Sequence, residues 1–211
     1  MKFGRAVAVL LLGMLFGGFL VFAIVQGGVL QRAEATAGPS ESPPASKIVI
    51  DEAYRVVRLI RNEDYPALSE AIHPEKGVVF VPYSYVEPDG AHVFTPAQVK
   101  GFATDKNTYL WGSYDGSGEP IQFTPAEYFA MFVYNADYEN APVVTVNTVA
   151  RSGNAIENVA EAFPEAQFVD FHFPELEKKY EGLDWCSLRL VFEEFGGKPC
   201  LVAVIHSQWT I

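Results

Sequence analysis

Near the C-terminus, Gly196-Gly197 separates two β-rich runs, residues 185–195 and 198–208, and a glycine pair there suits a two-residue type I′ turn with positive φ at both central positions. With that turn, residues facing each other across the hairpin have numbers that add to 393. Leu188 then faces Ile205, Leu190 faces Ala203 and Phe192 faces Leu201, so one side of the ribbon is uniformly apolar. The other side carries Trp185, Ser187, Arg189, Val191 and Glu193 opposite Gln208, His206, Val204, Val202 and Cys200. A ribbon with one apolar side must be covered on that side, and helices are the natural cover. Pro199 falls opposite Glu194 in a non-hydrogen-bonded pair, where its missing N–H takes nothing from this ladder.

The same register separates the two cysteines. Cys186 lies opposite Ser207, seven residues along the strand from Cys200, or about 23 Å at about 3.3 Å per residue. A disulfide needs Cα atoms within about 7 Å. Two free, largely buried thiols are expected, even in an oxidising compartment.

Helices to cover the ribbon are legible upstream. Residues 50–61 (IDEAYRVVRLIR) place Ala53, Val56, Val57 and Ile60 on one helical stripe, with Arg55, Arg58 and Arg61 elsewhere on the wheel. Asp64 then caps a short helix with Pro66 in its first turn, which stops before Pro74. Residues 77–81 read as a buried strand ending at Pro82. Thr95-Pro96 opens another short helix, and Thr124-Pro125-Ala126-Glu127 is a capping box leading into the aromatic-rich residues 128–134. Strands are expected at 143–146 and 168–173 (FVDFHF), with a helix at 155–162 ended by Phe163-Pro164.

The N-terminus sets the compartment. Lys2 and Arg5 precede an uncharged apolar run, residues 6–25, long enough to span a bilayer. Ala35 and Ala37 satisfy the small-residue rule for a signal peptidase cut after Ala37. Residues 1–37 are thus either a cleaved signal peptide or an uncleaved signal anchor, and both put the rest of the chain outside the cytoplasm. Residues 38–46 (GPSESPPAS) form a Pro/Ser-rich linker, and residues 47–211 are enough for one domain with its own core. Beyond residue 37 the chain holds 12 Lys+Arg against 25 Asp+Glu, a formal charge of −13. Such a surface repels nucleic acid and anionic headgroups, so no nucleic-acid partner is expected. The membrane is a partner only through an uncleaved N-terminal segment.

The order of these elements, with D-Y-x-x-L-x-x-x-I-H-P at residues 64–74 and long antiparallel strands closing the chain, resembles the NTF2-like fold. More narrowly, HPEKGVVFVPY (73–83), WGSYDGSGEPI (111–121), GLDWCSLRLVFEE (182–194) and LVAVIHSQWTI (201–211) resemble a family of secreted or membrane-anchored bacterial envelope proteins without assigned activity. Members usually carry a lipobox cysteine after the signal; this chain has none there, so lipid anchoring is not implied. The likeness implies a single α+β domain, helices packed on a curved antiparallel sheet in an NTF2-like cone, preceded by an N-terminal apolar helix. It transfers no catalytic residues, because this fold hosts enzymes, ligand binders and dimerising modules alike.

Three constellations bear on function. WGSYDGSGEP (111–120) lacks the spacing of a phosphate cradle or a nucleophile elbow. Its Asp115-Gly116 instead marks a hairpin turn between residues 109–111 and 121–123, leaving Trp111, Tyr114 and Glu119, together with Tyr83, to rim a ligand pocket. If residues 168–173 join the C-terminal hairpin, Asp170 and His172 share the polar face with Arg189 and His206. Two histidines and an acid suit acid/base or metal chemistry; the alternative is a solvent-facing or dimer-facing side of a half-buried sheet. His73 and His92 stand alone. No cofactor and no metal centre is expected. The combined expectation is a non-enzymatic extracytoplasmic binding module for a small molecule or an envelope protein, with a homodimer through the polar sheet face, against an enzyme using Asp170, His172 and His206 on an extracellular small molecule.

Overall fold

A computed structural model of the chain describes residues 45–87 and 92–210. The leader and nearly all of the Pro/Ser-rich linker lie outside the described residues. Among the described residues no helix is long and apolar enough to cross a membrane.

Helix α1 spans Ala45–Arg61 and buries Val49, Ala53, Val56, Val57 and Ile60. That spacing makes one continuous stripe. Its last turn carries Arg58 and Arg61, which suit the negative helix end and both pair with Glu139. Glu63 takes a left-handed φ of 52° to turn the chain. Helix α2, Tyr65–Ala71, then starts with the Asp64 carboxylate accepting the Ala67 N–H at 3.1 Å. Strands β1 (Val78–Val81) and β2 (Val93–Phe94) precede α3 (Pro96–Lys100), a hairpin of β3 (Tyr109–Ser113) and β4 (Pro120–Phe123), and α4 (Pro125–Tyr128). Both α3 and α4 open with complete capping boxes, Thr95 with Gln98 and Thr124 with Glu127. A π-helical turn, Phe129–Val133, continues α4. Then come β5 (Val143–Val146), α5 (Val159–Ala162), β6 (Gln167–Phe173), β7 (Cys186–Phe195) and β8 (Lys198–Gln208).

The main sheet runs β2-β1-β8-β7-β6-β5, with β3-β4 as a separate ribbon. The sheet is mixed rather than wholly antiparallel: β1 lies parallel to β8, with Phe80 opposite Val204. A parallel neighbour needs a long crossover, and everything from β2 to β7 supplies it. Helix α5 is also shorter than the eight residues expected: the Asn158 side chain at its start bonds the Val86 backbone and leaves the helix without a side-chain cap from that residue.

Gly196 and Gly197 have φ of 60° and 80°, as a type I′ turn requires. From the turn outward Phe195 pairs with Lys198, Glu194 with Pro199 and Phe192 with Leu201, in the expected register. The register then shifts by one. Val191 pairs with Ala203, leaving Val202 as the extra residue of a β-bulge, and beyond it Arg189 faces Ile205 and Leu188 faces His206. A ribbon of this length twists strongly, and a bulge absorbs the twist at the expense of one pairing. The consequence is a change of side for everything on β8 past residue 202. Cys186 now pairs with Gln208, and it and Cys200 remain free thiols, the first buried and the second half-buried.

One face of the sheet presents Leu188, Leu190, Phe192, Val169 and Phe171 to α1, α2 and the aromatic helix. The other is not open. Val191, Val202, Ala203, Ile205 and Phe168 pack under Val86, Val149, Val159 and Phe163, so residues 147–166 form a strap across it. The face expected to meet solvent or a second copy is therefore buried.

Candidate functional site

Strand β6 brings Asp170 beside Arg189 of β7 on the strapped face. Both side chains are wholly buried, and Arg189 donates to Asp170 at 3.1 Å and to Glu157 at 2.7 Å. The Asp170 carboxylate also accepts the Ala150 N–H at 3.0 Å, and Glu157 accepts the Val159 N–H at 3.1 Å. Two of these bonds, Ala150 to Asp170 and Arg189 to Glu157, tie the strap to the sheet. The Phe168 ring lies 5.4 Å from the guanidinium carbon, closing the remaining side. Next along β6, His172 Nδ1 meets the Ser187 hydroxyl at 2.9 Å, and burial lowers the imidazole pKa.

The bulge removes His206 from this group. It sits on the helix side, edge-on to Phe132, with Nδ1 donating to the Pro82 carbonyl at 3.1 Å. Nε2 is then the acceptor for the Asn135 amide at 3.1 Å, and Asn135 accepts the Tyr138 hydroxyl at 2.7 Å. Burial pushes this histidine down to about 4. A neutral imidazole with both nitrogens engaged has no proton to trade. Asp170, His172 and Arg189 are thus brought together and His206 is not, so the acid/base set that needed both histidines is not assembled. Among the described residues, no group of three or more His, Cys, Asp or Glu converges as a metal site would.

An open cleft of about 540 Å³ lies elsewhere, between the β3–β4 ribbon, the chain leaving β1, and the strap. Tyr83 and Tyr85 come from the segment after β1, Trp111 and Tyr114 from the ribbon, and Asn154 and Ile156 from the strap. Trp111 is the extra residue of a second bulge, between Leu110 and Gly112. Its indole is stacked on Tyr128 at 3.9 Å and on Phe94 at 5.0 Å, and its N–H donates to the Phe123 carbonyl at 2.9 Å. The ring is rigid and offers the cleft an edge. Tyr83 is half-buried, and burial raises its phenol pKa. The rim is apolar and exposed: Tyr85, Leu110 and Ile156 are 43%, 58% and 71% accessible.

Of the pocket residues expected from sequence, Tyr83, Trp111 and Tyr114 line this cleft and Glu119 does not. The turn between the ribbon strands is a four-residue loop, 115–118, which contains the Asp115-Gly116 expected to mark it. Tyr114 N–H donates to Glu119 O at 2.8 Å and Gly118 N–H to Tyr114 O at 2.9 Å, so Glu119 closes the loop through its backbone. Sequence reasoning missed the strap wall. The available signal was Ile156, a large apolar residue inside the otherwise polar RSGNAIEN.

No protein-family model and no curated protein sequence matches the chain. Solved structures similar to it include an NTF2-like protein with a cystatin-like fold from Novosphingobium aromaticivorans, 10% identical over 77% of this chain and 80% of that one, with a TM-score of 0.36. Aln2 from Streptomyces is 8% identical over 79% and 92%, also at 0.36. The beta subunit of benzoate 1,2-dioxygenase from Burkholderia mallei is 12% identical over 80% and 92%, at 0.30. None of these scores transfers a ligand or an activity.

Proposed function

We propose that the chain is a non-enzymatic binding module of NTF2-like architecture, held or released outside the cytoplasm by its N-terminal segment, and that a small molecule occupies the cleft between the β3–β4 ribbon and the strap. The observation that carries this reading is the cleft itself, about 540 Å³ and walled by Tyr83, Tyr85, Trp111 and Tyr114. Such a volume with aromatic walls suits a small ligand. The envelope setting rests on the apolar segment at residues 6–25 and on the resemblance of four strings to those of secreted or membrane-anchored bacterial proteins. Of the polar sheet residues, Asp170 and Arg189 are bonded to the strap, His206 to the Pro82 carbonyl and Asn135, and His172 to Ser187 of the next strand. A homodimer would have to use another surface, because the strap covers the polar face.

The test is native mass spectrometry of the protein from its own envelope or medium, coupled to amide shift mapping with the extracted ligand. Shifts confined to residues 83–87, 110–115 and 154–156 are expected. Shifts centred on Asp170 and His172 instead would overturn the reading.

A further inference from the structure

The cleft's chemistry narrows what it takes. Its walls include Tyr83, Tyr85 and Tyr114, and its acids are Glu87 and Asp115, both exposed. Among the described residues that line it there is no Lys, Arg or His. Tyrosine rings concentrate negative potential over their faces, and two carboxylates at the mouth add to it. Nothing in the lining compensates an anion. The other polar groups there are Asn154, whose side-chain amide already donates to the Thr210 carbonyl at 3.2 Å, and the small Ser113 hydroxyl. An uncharged ligand would gain from the apolar rim but would leave the acids unused.

Resting on the cleft as the binding site, we infer that its ligand is a small organic cation, an alkylated ammonium carrying an apolar body. The body lies against Leu110 and Ile156, and the ammonium sits among the tyrosines with Glu87 and Asp115 at the mouth. The source is either a free cation or the ammonium of a lipid headgroup, since both present the same group.

Isothermal titration of the full chain with benzyltrimethylammonium, benzyl alcohol and phenylacetate tests this. The cation should bind at least tenfold more tightly than either of the others, and its affinity should fall as salt is raised. Glu87→Gln and Asp115→Asn, both exposed positions that the fold tolerates, should each weaken the cation about fourfold and leave benzyl alcohol unchanged. Tyr83→Leu should cost about tenfold. Displacement by glycerophosphocholine better than by choline assigns the source to a lipid headgroup, and the reverse order to a free cation; either upholds the inference. Equal or tighter binding of benzyl alcohol or phenylacetate overturns the cation and leaves the cleft as a binding site. No binding of any probe overturns both.

Discussion

Acid should weaken this domain through His206. The side chain is wholly buried and neutral, and its pKa is held down to about 4 by loss of solvent, against an ordinary value of 6.5. Because the folded value lies below the unfolded one, the unfolded chain binds the extra proton first. The stability linked to this residue is therefore complete above pH 6.5 and is lost as pH falls toward about 4. At about 1.4 kcal/mol per unit, the full loss is about 3 kcal/mol, and about 2 kcal/mol of it is gone by pH 5. Carboxylates elsewhere also respond to acid, so the informative quantity is the difference between the native chain and His206→Asn. Asparagine keeps a donor toward the Pro82 carbonyl and cannot charge. The variant should lose about 1 kcal/mol at pH 7, where the Asn135 bond is gone. Between pH 7 and pH 5 its urea midpoint should fall less than that of the native chain, by the equivalent of about 2 kcal/mol. Imidazole shifts give a direct second reading. A His206 ring that titrates near 6.5 in the folded protein, or parallel acid losses in both chains, would refute the argument.

Other outcomes follow from the strap and the thiols. Asp170→Asn leaves Arg189 wholly buried beside a neutral amide and should cost about 3–5 kcal/mol, whereas Glu157→Gln, at the partly exposed end of the same network, should cost about 2 kcal/mol; urea unfolding that ranks them the other way would contradict the latch. In both variants, amide exchange should quicken at Ala150 and Val159, whose N–H groups these carboxylates accept. Gly153→Ala places a methyl 2.9 Å from Trp185 Cζ2, so the strap must lift, and probe affinity in the cleft should drop while the β7–β8 amides keep their protection. Burial raises the pKa of both thiols, so alkylation of the folded protein should be slow, with half-buried Cys200 ahead of buried Cys186, and two adducts should form on unfolding without reductant.

What could be read from the residues was local. Thr124 with Glu127 and Asp64 with Pro66 specify helix starts through bonds that span three residues, and the structure shows them. Gly196-Gly197 likewise specifies its turn, and pairing near the turn follows from it. The strap's path was not legible, because it depends on contacts such as Asn158 with Val86, 72 residues apart. The bulge was also hidden, yet Leu201 to Ile205 carried a trace of it. Five successive apolar residues alternate on no face; they describe a strand covered on both sides, which is how the structure buries them.

That single inserted residue connects the fold to the cleft. Without it, Val202 and Val204 would face one side and His206 would stand beside Arg189, leaving a polar surface that solvent or a second copy could cover. With it, Val202 and Ala203 both join Val191 and Ile205 on the far face, which becomes apolar enough to require a roof. Residues 147–166 supply that roof, fastened at Ala150 by Asp170 and at Glu157 by Arg189. Between those two fastenings the polypeptide passes so close to Trp185 that a Cβ at Gly153 would lie 2.9 Å from its ring, and it brings Asn154 and Ile156 to the cleft that the β3–β4 ribbon also lines. The cleft is the space left between them. Its acidic and aromatic lining comes from the ribbon and the segment after β1, while the facing wall, Asn154 and Ile156, belongs to the strap whose position depends on Asp170 and Arg189, so these buried residues set the width of the cleft without lining it.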